Sequence, residues 1–150
     1  MVVEVDAALA DEIQVLYLEK NPVTTVEGVE KLRRVKALNC DGAGLDFAPP
    51  WIEGLTSLET VWLRRNNLTE LPASLMNMPN LKEVWARGNK NLRTVPVGRN
   101  LTVLTIDDCD ITTLPHDLFH HRLEGVDIHG NKGESIERGH SGRPITGDQG

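Results

Sequence analysis

The sequence predicts an α/β solenoid, wound right-handed, with six parallel strands on a concave face and short 3₁₀ or α turns on the convex side. Two observations carry this expectation. The pattern LxxLxLxxN, with conservative swaps, returns six times, starting at Ile13, Leu32, Leu58, Leu81, Leu101 and Leu123. The starts lie 19, 26, 23, 20 and 22 residues apart, and self-similarity at such a period means stacked repeats rather than a globule.

Each element follows from the pattern. Val61-Trp62-Leu63 alternates apolar, variable, apolar, the two-residue period of a half-buried strand. The same alternation places strands at 16–18, 35–37, 61–63, 84–86, 104–106 and 126–128. After each strand comes Asn or Cys: Asn21, Cys40, Asn66, Asn89, Cys109 and Asn131. There the chain turns away from the sheet and leaves backbone groups without strand partners. A buried amide can satisfy them in its own rung and in the next, and a thiol does part of that work. The return segment carries apolar residues near every third position, such as Leu68, Leu71, Leu75 and Met78, which suits short helical turns. A single repeat cannot bury its own apolar face, so stability comes from stacking.

These motifs resemble the leucine-rich repeat family over about residues 13–131. The continuation LxxLPxxL stands as Leu68-Thr-Glu-Leu71-Pro72-Ala-Ser-Leu75 and as Ile111-Thr-Thr-Leu114-Pro115-His-Asp-Leu118. A weaker version is Leu45-Asp-Phe-Ala48-Pro49-Pro-Trp-Ile52. This form is similar to the intracellular Ras-group subclass, and the first repeat, with Val23, Val26 and Val29, to the phosphatase-regulator subclass. Two departures stand out: three extra residues within 41–44, and a shortened fourth return segment between Pro96 and Leu101. The resemblance implies a non-catalytic interaction module.

Composition narrows the function classes. The chain has 150 residues, 39% hydrophobic, and a net charge of −6, which fits one domain and disfavours nucleic acid. Residues 1–12 read as an N-terminal segment or partial cap with at most a short helix from near Asp6. Residues 13–132 form the solenoid, and 133–150 a polar, disordered tail. No stretch has the length of a membrane span and no secretory leader is evident, so direct membrane insertion is not expected. Cys40 and Cys109, read as equivalent positions three rungs apart, would lie roughly 14 Å from each other. That is beyond disulfide reach, and two free thiols favour a cytoplasmic location. The sequons Asn67-Leu-Thr69 and Asn100-Leu-Thr102 keep an extracellular one open.

Catalytic chemistry is sparse. Asp107-Asp108-Cys109-Asp110 lacks calcium-loop spacing and reads as a strand exit with exposed carboxylates. His116 and His120 have a metal-compatible spacing, but on a segment too short and turn-like to hold a metal. Trp51 reads as packed on the convex side. The Gly-bearing loop at 41–44 lacks the Lys-Ser/Thr of a phosphate loop. No cofactor and no metal is expected.

The outward strand positions carry the binding expectation. Stacked in order, the middle column is Tyr17, Lys36, Trp62, Trp85, Thr105 and Asp127. The next column is Glu19, Leu38, Arg64, Arg87, Asp107 and His129, and the preceding one Val15, Arg34, Thr60, Glu83, Val103 and Gly125. Two tryptophans thus lie side by side with two arginines next to them, the residue types most enriched at binding hot spots. The competing structural role is mutual packing, with Arg87 paired to Asp107. Basic residues on the early and middle rungs and acidic ones on the late rungs would orient a partner. The expected partner-binding set is therefore Tyr17, Lys36, Trp62, Arg64, Trp85, Arg87, Thr105, Asp107 and Asp127, facing a protein or peptide. A recognition segment of a larger receptor, kinase or membrane protein is the alternative, and an independent enzyme, with no nucleophile–base pairing behind it, the third and least favoured reading. The last rung, Leu123, Val126 and Ile128, has no evident cap, which predicts self-association through 123–136 or continuation of the chain.

Overall fold

The structure, a computed structural model, describes residues 1–8, 10–120 and 122–131; the expected tail at 133–150 lies outside the described residues. Outside the sheet, β1 (Val2–Glu4) pairs in parallel with β3 (Thr25–Glu27). Six other strands form one parallel sheet in chain order. They are β2 (Val15–Tyr17), β4 (Ala37–Asn39), β5 (Thr60–Trp62), β6 (Glu83–Trp85), β7 (Val103–Thr105) and β8 (Gly125–Asp127). The chain is a parallel-strand solenoid of about six turns with few helices. Its return segments hold 3₁₀ turns at Val29–Lys31 and Pro50–Gly54 and one short helix, α1 (Ala73–Met76).

Five strands lie one residue earlier than expected, and the second, β4, lies two residues later. The register explains the second. Leu16, Leu38, Val61, Val84, Leu104 and Val126 are paired rung to rung. The second unit therefore starts at Val35, not Leu32, and the starts become 22, 23, 23, 20 and 22 residues apart. No insertion exists at 41–44. A shift by three residues is odd, so it moves every side chain of that strand to the other face. Leu38, expected outside, is fully buried; Lys36 is exposed but precedes the strand, and Asn39 takes its place in the middle column. Arg34 likewise leaves the array, replaced by Ala37, and Asp41 replaces Leu38 in the third column.

The ladder changes accordingly. Asn66 donates from Nδ2 to the carbonyls of Cys40 at 2.9 Å and Leu63 at 3.1 Å, and its Oδ1 accepts the Leu45 amide at 3.0 Å. Asn89 repeats this with Leu63, Ala86 and Leu68, and Asn131 with Ile106, Ile128 and Ile111. Cys109 donates its thiol to Ala86 at 3.4 Å. Cys40 is not a ladder residue. It occupies the inward strand position of Leu63 and Ala86, and Ala43 stands in the ladder. Asn21 holds the ladder position of the first rung, yet it is exposed and its amide reaches only the Glu19 carbonyl.

A shared turn follows every strand of the six-stranded sheet. Lys20, Gly42, Arg65, Gly88, Asp108 and Gly130 stand at equivalent positions, and all six have positive φ. Only Gly adopts that region without steric cost. A Cβ at Gly88 would also lie 3.3 Å from Arg65 Cγ. Gly88→Ala is therefore expected to destabilise the fold by about 1–2 kcal/mol, read as a lower denaturant midpoint. Gly98 is required for a different reason. The shortened fourth return packs so closely that a Cβ there would sit 2.6 Å from Leu101 Cδ1 and 2.8 Å from the Met76 carbonyl.

The core runs between the sheet and the return segments. Leu58, Leu63, Leu68, Leu81, Leu92 and Ile52 are fully buried, and Trp51 packs on the return side with its indole N–H 3.5 Å from the Val23 carbonyl. In the last rung Leu123 and Val126 are buried and Ile128 half-buried. Near Asp6 the described residues 7–8 and 10–12 form turns. Val3 pairs with Val26, 23 residues on, the spacing of the central repeats. Residues 1–8 thus add an outer strand beside the first return segment.

Candidate functional site

The open face of the sheet is set by strand alternation. In β5, Val61 points into the core and Thr60 and Trp62 point out; β6 repeats this with Val84 against Glu83 and Trp85. The register places Trp62 directly beside Trp85, Trp85 beside Thr105, and Thr105 beside Asp127. The middle column is therefore Tyr17, Asn39, Trp62, Trp85, Thr105 and Asp127. The tryptophans are half-buried, Tyr17 is 67% exposed and Thr105 only 8%. Trp85 donates its indole N–H to Glu83 Oε1 at 3.0 Å, which draws the ring toward the strand-entry side.

The third column is Glu19, Asp41, Arg64, Arg87, Asp107 and His129. Asp41, missed at the sequence level through the register slip, clamps Arg64. Its Oδ2 accepts from Nε at 3.0 Å and Nη2 at 2.7 Å, and its Oδ1 accepts the Arg64 backbone amide at 2.8 Å. Arg87 lies 3.5 Å from Asp107 and 3.0 Å from Asp108. The expected Arg87–Asp107 pairing is thus present in the free protein. Arg65 is exposed at the strand exit. The face is not polarised end to end: a basic band on the middle rungs is flanked by acids on both sides. Asp107 is buried, and Asp108 and Asp110 half-buried, against the expectation of exposed carboxylates; Arg93 approaches Asp110 at 3.7 Å.

Burial first, and the charge of Asp127 next, raise the Asp107 carboxyl above its ordinary value, against the lowering influence of its backbone amide contact and Arg87. A carboxyl that holds its proton more tightly in the fold than in the unfolded chain opposes folding once ionised. That opposition is relieved as pH falls through its folded value. Asp107→Asn is expected to raise the urea midpoint at pH 7 and to lose this advantage as pH is lowered through the carboxylate range.

The thiols are poorly suited to chemistry. Cys40 and Cys109 are buried and unbridged. Burial is the main cause that pushes Cys40 up to about 12 and Cys109 up to about 11. Both stay protonated at neutral pH, and the thiolate is the nucleophile. The native protein is expected to resist iodoacetamide, both cysteines reacting only in denaturant. Among the described residues, no group of three or more His, Cys, Asp or Glu converges as a metal site, and no helix is long and apolar enough to cross a membrane. His116 is exposed, and His120 Nε2 lies 2.8 Å from the Gly98 carbonyl.

Comparison with known proteins agrees with this architecture. The Leucine Rich Repeat family profile matches residues 57–78. The chain is 36% identical over 85 residues to the 187-kDa microtubule-associated protein AIR9 of Arabidopsis thaliana, over 55% of this chain and 5% of that protein. It is 57% identical over 35 residues to a putative neurotrophin receptor, LTRK 1, of Lymnaea stagnalis, over 23% of this chain and 4% of that protein. It thus spans only a small part of the curated relatives it matches. The leucine-rich repeat domain of the type III effector XopL superposes with a TM-score of 0.64 at 23% identity, over 82% of this chain and 54% of that one.

Proposed function

We propose that this chain, a leucine-rich repeat protein by sequence and fold, is a non-catalytic module that binds a protein or peptide on the open face of its sheet. Leucine-rich repeat folds are generally protein-interaction modules and typically not enzymes. The observation that carries the proposal for this face is the Trp62–Trp85 pair, in register on neighbouring strands and half-exposed. Large amphipathic side chains held rigid before binding lose little entropy on association. The Asp41 clamp on Arg64 and the two carboxylates on Arg87 fix the flank of the patch in the same way. Tyr17 extends the face toward the first rung and Asp107 and Asp127 toward the last. Lys36, exposed at the strand-entry edge, is left as a rim contact.

The small share of the curated relatives that this chain spans favours, as a second reading, a recognition segment acting within a larger protein. One relative is described as a receptor and the other as microtubule-associated. Two buried, unbridged thiols favour the cytoplasmic side of that choice. The test is a partner-capture comparison of wild type with a Trp62/Trp85 double alanine variant. A partner retained equally by a folded variant would remove this face from the function.

A further inference from the structure

We propose that the late rungs of the open face form a receiving site for a basic side chain, arginine or lysine, of a polypeptide partner. The proposal rests on the interaction role above and specifies its chemistry. Trp85 walls one side and Asp127 the other, with Thr105 paired between them. On the strand-entry side the neighbours are small. Val103 is followed in register by Gly125, where an added Cβ would meet only Val103 Cγ2, at 3.8 Å. The result is open space at Gly125 on the strand-entry side, with Asp127, whose Oδ1 accepts the His129 amide at 2.9 Å, beside it and Trp85 two strands away. A cation over an indole ring is attracted by its quadrupole, and a carboxylate adds a charge-assisted hydrogen bond.

Two further observations point the same way. The late rungs are rich in acid: among the described residues Arg87 pairs with both Asp107 and Asp108, and Asp127 accepts the His129 backbone amide at 2.9 Å. The raised Asp107 carboxyl, held up partly by Asp127, agrees with that excess of negative charge. Thr105, 8% exposed, carries a covered hydroxyl with no hydrogen-bond partner among the described residues. A buried hydroxyl without a partner costs stability, and a basic group that displaces its cover would supply the missing partner.

The experiment is selection of a random displayed peptide library on wild type, with counter-selection on the Trp62/Trp85 double alanine variant. The expected binders are enriched in Arg or Lys. They weaken roughly tenfold or more with Asp127→Asn, as loss of a charged partner implies, and comparably with Gly125→Leu, which fills the open space at Gly125 on an unstrained backbone. Thr105→Val is expected to move two readouts in opposite directions: a higher melting temperature and a lower affinity. Tryptophan-dependent binders without basic enrichment, or indifferent to Asp127→Asn, overturn this site and leave the interaction role standing. Binding that requires added calcium and is lost to chelator overturns it in favour of a cation site. Absence of any tryptophan-dependent binder overturns both.

Discussion

Asn89→Ala is expected to lower the unfolding free energy by about 3 kcal/mol, the upper end of the cost of leaving a buried polar group unsatisfied. Asn89 is fully buried and makes three hydrogen bonds, at 3.0, 2.8 and 3.0 Å, to Leu63, Ala86 and Leu68. Removing it strands the Leu68 amide and takes the better donor from two carbonyls, leaving Leu63 with Asn66 Nδ2 at 3.1 Å and Ala86 with the weak Cys109 thiol at 3.4 Å. The protein supplies its own controls. Asn66 makes equivalent bonds but is 7% exposed, so its alanine variant should lose about 2 kcal/mol. Asn21 is exposed and bonds only the Glu19 carbonyl, so Asn21→Ala should change stability by less than about 0.5 kcal/mol. Urea midpoints followed by circular dichroism give all three. An Asn89→Ala midpoint equal to wild type would remove the ladder as a source of stability.

Truncating Trp62 or Trp85 to alanine is expected to cost about 2 kcal/mol or more of partner binding each. Stability should fall by only about 1 kcal/mol, the scale of one cross-strand pair. Both side chains point away from the fully buried Val61 and Val84 beneath them, so the core is left intact. Trp85→Ala also frees the Glu83 carboxylate from its indole bond, which makes it the more severe of the two. Arg87→Glu is a poor probe of steering, because Arg87 is paired with Asp107 and Asp108. It would set a third carboxylate against Asp107 and Asp108 and disturb the fold. Arg65→Glu, at an exposed strand exit, tests steering more cleanly through the salt dependence of association. Unchanged affinity in the double alanine variant, with a collapsed melting temperature, would make the tryptophans structural.

The sequence by itself determined the architecture, because an apolar residue at a fixed period can be buried only by stacking against its own kind. It determined five of six rungs, the ladder at Asn66, Asn89, Cys109 and Asn131, and the Trp62–Trp85 neighbourhood, all of which follow from the two-residue alternation of a strand. It misplaced the second rung because Cys40 resembles a ladder residue and Ala43 does not. Yet Leu45-Asp-Phe-Ala48-Pro49-Pro-Trp-Ile52 stands 23 residues before Leu68–Leu75 and already carried the correct phase. Only the tertiary structure decided what that phase implies: that Leu38 is core, that Asp41 grips Arg64, and that acids flank the basic band. Backbone pairing between rungs fixes those contacts, and a one-rung error in reading inverts a whole strand. The left-handed turn after every strand of the six-stranded sheet was equally hidden. Gly42, Gly88 and Gly130 announce it, but Lys20, Arg65 and Asp108 adopt it only because the stacked rungs on either side hold them there.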